Sequence, residues 1–138
     1  MITLDASVVI AHLYPHDPHH QAAGEYLRGS VAEELVIHSL NLAEVLVGGV
    51  KAGRGQEMLA DLEAIGLRVA DRPDGEPLRL ANLRVSYGLK LPDCCALDTA
   101  LSTASTLATF DDGLAKAARQ RHVRVAPGGE PQPPRPFS

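Results

Sequence analysis

LPDCCALDTALSTASTLATFDD, Leu91 to Asp112, decides the fold, because it sets a helix and a strand in succession with a carboxylate at the start of one and the end of the other. Pro92 lacks a backbone donor and holds a φ suited to a helix start, while Leu91 before it is pushed towards extended backbone. The helix is therefore expected to begin at Pro92, with Asp93 in its first turn. Helical spacing sets Cys94, Leu97, Leu101 and Ala104 on one buried stripe, with Asp93 near its rim at the positive end of the helix dipole. Leu107 to Phe110 reads as a short buried strand that stops at Asp111, where Asp112 and Gly113 mark a turn. In a parallel sheet Asp111 then lies at the carboxyl edge, where open α/β sheets place their sites.

The rest of the chain repeats this alternation. Met1 to Leu4 is an apolar strand ending at Asp5, and Ala6 to Leu13 follows as a helix, so Asp5 occupies the same kind of junction as Asp111. HDPHH, His16 to His20, is a polar turn centred on Pro18, and Gln21 to Arg28 is a helix closed by Gly29. Leu35 to His38 is a second strand. Asn41 to Val47 reads as a helix with Asn41 as its N-cap and one acid, Glu44, inside an otherwise apolar run. Gln56 to Ile65 is amphipathic with Gly66 as its C-cap, Leu67 to Ala70 a strand, Pro77 to Tyr87 a helix ended by Gly88, Leu114 to Arg121 the last helix and Val123 to Val125 the last strand. Five short strands alternating with helices predict an α/β fold with a central parallel sheet covered on both faces, an α/β/α sandwich of three layers. The domain is expected over residues 1–126. Residues 127–138, PGGEPQPPRPFS, hold too much Pro and Gly to pack and are expected to form a flexible tail.

At 138 residues and 45% hydrophobic content the chain suits one globular core. A net charge of −4 argues against a protein that holds nucleic acid by bulk electrostatics, yet is compatible with an acidic site filled by a cation. Met1 leads directly into a strand with no basic n-region, and polar residues interrupt every apolar run, so neither a signal peptide nor a membrane span is expected and the cytoplasm is the default location. Cys94 and Cys95 are adjacent, a poor geometry for a disulfide, and read as small core residues in a reducing compartment.

Asp5, Glu44, Asp93 and Asp111 stand out by position. Taken singly, each has an ordinary structural reading: a helix-start acid, a partner for an arginine, a turn residue. Taken together, two strand ends and two helix starts bring them to one sheet edge, and acids so crowded cannot all stay ionised without a counter-charge. A hard divalent cation such as Mg²⁺ or Mn²⁺ supplies it through carboxylate oxygens and can support displacement at a phosphodiester.

The sequence resembles the PIN-domain ribonucleases, in particular VapC-type toxins of bacterial toxin–antitoxin pairs. The likeness runs to about Ala126 and rests on MITLDASVVIAHL, NLAEVLVGG, LPDCCALDTAL and the TFD of LATFDDGLAKAA, in that order and spacing. It implies that Asp5, Glu44, Asp93 and Asp111 are the acidic quartet, with Asp5, Asp93 and Asp111 as metal ligands and Ser7 and Thr109 as small hydroxyl positions beside them. It further implies an Mg²⁺- or Mn²⁺-dependent endoribonuclease that cuts single-stranded or loop RNA, a homodimer, and a VapB-like antitoxin whose tail blocks the acidic groove. Some family members carry a further acid two positions after the fourth. Gly113 stands there, and Asp98 or Asp112 is the candidate to replace it.

Other constellations compete less well. His16, His19 and His20 are split by Pro18 and suit a solvated loop better than a metal site. A Cys94 or Cys95 nucleophile lacks a facing histidine. Asp98 lies about 140° round the helix from Asp93, which suits a supporting or interface role. Lys51, Arg54, Lys90, Lys116, Arg119, Arg121 and Arg124 read mostly as a solvated face, with some at the cleft border. A phosphoacceptor module would want paired acids after the first strand, and a dehalogenase-like phosphatase a second Asp two after the first, where Ser7 stands. The remaining alternative is a non-catalytic binding module on the same fold.

Overall fold

The structure is a computed structural model, and it describes residues 1–127. The elements run β1 (Ile2–Leu4), α1 (Ala6–Leu13), α2 (His20–Arg28), β2 (Leu35–Ile37), α3 (Ser39–Lys51), α4 (Gly55–Ala64), β3 (Leu67–Val69), α5 (Glu76–Tyr87), α6 (Leu91–Thr103), β4 (Thr106–Ala108), α7 (Asp112–Gln120) and β5 (Val125–Ala126). Of the tail expected over residues 127–138, all but residue 127 lies outside the described residues.

Short runs of Val, Ile and Leu make strands that can be buried on both faces, as crossover helices require. The strands form one sheet in the order β3-β2-β1-β4-β5, every pairing parallel. Chain order therefore reverses between β1 and β4, and the crevice outside their carboxyl ends is the switch point of the sheet. Ile2 lies opposite Thr106 and Leu4 opposite Ala108, so Asp5 and Thr109 leave the sheet at the same level.

Apolar residues of the two sheet faces feed two cores. On one face Leu4, Ile37 and Ala108 meet Val8 and Val9 of α1, Ala23 and Leu27 of α2, and Val45 of α3. On the other, Leu107 and Val125 meet Leu83 of α5, Cys94, Leu97 and Ala100 of α6, and Leu114 and Ala118 of α7. Sandwiched helices give the three-layer α/β/α architecture the alternation predicts.

Helix α6 differs from the stripe expected of it. Every residue from Cys94 to Ala100 is buried, while Leu101 is only partly so, and Ala104 takes the left-handed φ of 51° that ends the helix. The cause is its position: α6 packs against β1, β4, α3, α5 and α7, so no side of its middle turns faces water. It begins at Leu91, one residue before the expected start, which puts Pro92 at the second helical position, where no intrahelical donor is needed.

Two other boundaries move for reasons of hydrogen bonding. Helix α3 starts at Ser39, before Asn41, because His38 Nδ1 accepts from the Leu40 N–H and caps the helix, which frees Asn41 for another task. The last strand is Val125–Ala126, later than the expected 123–125, because the Val123 N–H closes the α7 terminus on the Ala118 carbonyl instead of joining the ladder.

Candidate functional site

Asp5 and Asp111 are N-caps built in the same way. Asp5 Oδ1 accepts from the Val8 N–H at 3.1 Å, and Asp111 Oδ1 accepts from the Leu114 N–H at 2.8 Å. Each cap side chain satisfies a helix donor that has no intrahelical partner and stands at the positive pole of its helix.

Thr109 and Ser7 join the two junctions. Thr109 Oγ1 donates to Asp5 Oδ2 and accepts from the Asp111 N–H at 2.9 Å. Ser7 Oγ donates to Asp5 Oδ1 at 2.6 Å and accepts from the Phe110 N–H at 3.1 Å. Both Asp5 oxygens are thus engaged, and the β1–α1 and β4–α7 turns are tied across the switch point. Burial pushes the Asp5 carboxyl up, while the hydrogen bonds from Ser7, Thr109 and Val8 oppose that rise and the Asp111 charge adds to it.

Asp93, in the first turn of α6, is partly buried, and its pKa is pushed up to about 6. Burial is the main cause, followed by repulsion from Asp111, Asp5 and Glu44, with Lys90 opposing. That Asp93 feels all three acids places the quartet in one electrostatic neighbourhood. Among the described residues none of the four forms an ion pair.

Glu44 reaches this neighbourhood from α3 and is exposed. Asn41 sets it there: the Asn41 Nδ2 group donates both to Glu44 Oε1 at 3.2 Å and to the Pro92 carbonyl at 3.0 Å. One buried amide therefore links the acid on α3 to the peptide unit preceding Asp93. Asn41 Oδ1 is buried and has no hydrogen-bond partner.

The remaining candidates separate. Asp98 is buried and held by Arg79 of α5, whose Nε and Nη2 donate to its two oxygens at 2.8 and 3.1 Å. Its charge is thereby matched within α5–α6. Asp112 is exposed beside Asp111. Cys94 and Cys95 are buried, and burial pushes the Cys95 thiol up to about 11, the reverse of what a nucleophile needs. In the histidine loop, His20 Nδ1 donates to the Ala11 carbonyl and His19 lies flat on Phe110.

The sequence reading missed Asn41 as a bridge and His38 as anything but a strand residue. His38 is buried, and its Nε2 bonds Glu76 Oε2 at 3.0 Å, while Arg72 holds the Glu76 carboxyl below its usual range. The Arg72–Glu76 spacing of four residues was the one available signal. This network fixes the start of α3, the helix that carries Asn41 and Glu44.

The donor set has the chemistry of a hard-cation site: carboxylate oxygens only, no ion-pair partner among the described residues, and one acid whose pKa is raised to about 6 by burial and then by its acidic neighbours. As the side chains are placed, no three His, Cys, Asp or Glu residues among the described ones converge closely enough to hold a single ion. Among those residues no helix is long and apolar enough to cross a membrane.

The fold has clear relatives. A toxin–antitoxin complex from Klebsiella pneumoniae contains a chain similar at 25% identity with a TM-score of 0.64, covering 80% of this chain and 87% of that one. FitAcB from Neisseria gonorrhoeae matches at 23% identity and a TM-score of 0.65, over 91% of this chain and 96% of that chain. VapBC-1 from nontypeable Haemophilus influenzae matches at 17% and 0.66, over 91% and 97%. The latter two are likenesses of fold. No curated protein sequence matches this one. The PIN domain family model matches residues 2–120. The spread of that match over nearly all of the sheet and its helices, together with the acids at the switch point, establishes that this chain belongs to the PIN domain family.

Proposed function

We propose that the chain is a metal-dependent endoribonuclease and the toxin of a toxin–antitoxin pair, with Asp5, Glu44, Asp93 and Asp111 as its working acids. The observation that carries this reading is that Asp5 and Asp111 are tied together across the switch point through Thr109 and Ser7, with Asp93 within reach of their charge and that of Glu44 and none of the four in an ion pair among the described residues. Mg²⁺ or Mn²⁺ would supply charge neutralisation and an activated water there. Asp93, Asp111 and Asp5 would hold it, and Glu44 would stand at the rim as a further acceptor for water or a proton. Within the chain, Thr109 and Ser7 keep Asp5 oriented, and Asn41 keeps Glu44 and the start of α6 in register.

A toxin role is supported by the resemblance of the fold to a chain of the Klebsiella toxin–antitoxin complex. On this reading an antitoxin segment covers the acidic edge, and two copies of the toxin associate as the family resemblance implies. The test is cleavage of labelled single-stranded RNA by purified protein in Mn²⁺, with EDTA and Asp93→Asn as controls. Cleavage that needs the metal and Asp93 is expected. A folded, pure protein that leaves every RNA intact in Mn²⁺ overturns the reading in favour of a binding module.

A further inference from the structure

Beside the acids lies an aromatic surface that the chemistry above does not use. The His19 ring stacks on Phe110 with centroids 4.3 Å apart and planes 6° from parallel. Phe110 is partly buried against the core under α1 and α2, whereas His19 is exposed, so the imidazole face turned away from Phe110 meets solvent. An exposed side chain ordinarily samples several rotamers, and this one is held flat.

Both partners are fixed from behind. The His19 N–H donates to Asp17 Oδ1 at 2.8 Å, the His20 N–H to the Asp17 carbonyl at 3.0 Å, and the Asp17 N–H to the Tyr14 carbonyl at 3.0 Å. His20 Nδ1 anchors the same turn to α1 through Ala11. Phe110 is covalently next to Asp111, and its N–H bonds the Ser7 hydroxyl that in turn bonds Asp5. A flat ring is thus carried on a rigid turn and stacked on a residue registered to Asp111 by the chain itself and to Asp5 through the Ser7 hydroxyl.

We propose that the His19–Phe110 stack is a platform on which a nucleobase of single-stranded RNA lies while the adjoining phosphodiester is held at the acids. This rests on the ribonuclease reading above. Single-stranded RNA is recognised largely by stacking of unpaired bases on aromatic rings, histidine included. The need for such a contact is greater here than in most RNA-binding proteins. With a net charge of −4 the chain gains little affinity from phosphate attraction, and its acids repel phosphate until a cation is bound. Phe110 is the only phenylalanine among the described residues, and it stands at this edge. The platform makes His19 a positioning residue, one that binds substrate without taking part in proton transfer.

The experiment compares wild type, His19→Ala and His19→Phe on one single-stranded oligoribonucleotide in Mn²⁺, with KM and kcat measured separately and thermal melts alongside. The same strand carrying 2-aminopurine is titrated into the inactive Asp93→Asn background of each, where stacking is read as fluorescence quenching. Loss of one stacked base is expected to raise KM for His19→Ala roughly tenfold with kcat changed less than about twofold, to abolish the quenching, and to be reversed by His19→Phe. Unchanged KM and quenching in a well-folded His19→Ala overturn the platform alone. If His19→Ala is unfolded, a His19→Phe protein that neither quenches nor binds like wild type overturns it as well. Wild-type protein that neither binds nor cuts the RNA overturns the ribonuclease reading and the platform with it.

Discussion

Thr109 Oγ1 donates to Asp5 Oδ2 across 104 residues of sequence, and the same hydroxyl accepts the N–H of Asp111. A single buried oxygen therefore holds an acid on each side of the switch point. Thr109→Val keeps the shape and removes the hydroxyl, which strips a hydrogen bond from a buried carboxylate and leaves the Asp111 N–H without its acceptor. The expected cost is about 2 kcal/mol in urea unfolding, with RNA cleavage falling at least about tenfold. Thr109→Ser, which restores the donor, recovers most of both. A Val variant as stable and active as wild type would show that the hydroxyl is incidental.

Asp93 predicts the pH response of the metal-free protein. Its folded pKa of about 6 lies above the ordinary value of 3.8, so between those values the folded state holds a proton that the unfolded state has released. This contribution to stability is full below pH about 3.8 and is lost as pH rises towards about 6. Asp93→Asn removes the titration and the repulsion together. In EDTA the variant should melt above wild type at pH 7, with a flatter profile between pH 4 and 6, and should gain less from millimolar Mn²⁺. A variant that melts lower at pH 7 and responds equally to Mn²⁺ assigns Asp93 to the helix start alone.

Asn41→Ala tests the bridge between α3 and α6. Because Asn41 Oδ1 already lacks a partner, the loss in stability should be only about 1 kcal/mol, while freeing Glu44 and the Pro92 carbonyl should lower kcat clearly. The two effects are separated by denaturant titration and by cleavage at saturating RNA.

Arg79→Met gives the opposite pattern. It leaves the buried Asp98 carboxylate unpaired, so stability should fall by about 2 kcal/mol, less than for a fully buried pair because Arg79 is partly exposed. Cleavage per folded molecule should be unchanged. A specific loss of cleavage would return Asp98 to the acidic site.

The sequence carried the fold because apolar triplets and turn residues alternate at regular intervals, and α1 and the junction at Asp5 can be read almost to the residue, whereas the strand expected over Leu107–Phe110 is Thr106–Ala108 and ends two residues early, because Thr109 and Phe110 turn to bond Asp5, Asp111 and Ser7. Pro92 marked the start of α6 to within one position. What it hid was side-chain traffic between segments distant in sequence. Asn41 has the composition of a cap, and only the approach of α6 reveals it as a bridge. Helical spacing set Asp98 about 140° from Asp93, but its actual partner, Arg79, lies nineteen residues upstream and could not be read from that spacing. The burial of α6 on every side was invisible for the same reason: a one-face pattern in sequence says nothing about how many neighbours the other faces acquire.

The strand order has a temporal meaning as well. β4 inserts beside β1, yet it is separated from it by the whole span that builds β2, β3 and six helices. During synthesis Asp5 and Glu44 leave the ribosome early, but Asp5 gains Thr109 and Asp111 only when nearly the whole domain has emerged. At about 5–20 residues per second, the nascent chain spends seconds without a complete acid cleft. A truncated or stalled product ending before β4 holds Asp5, Glu44 and Asp93 but lacks both Asp111 and the switch point, so the complete acidic edge comes into being only with a finished domain.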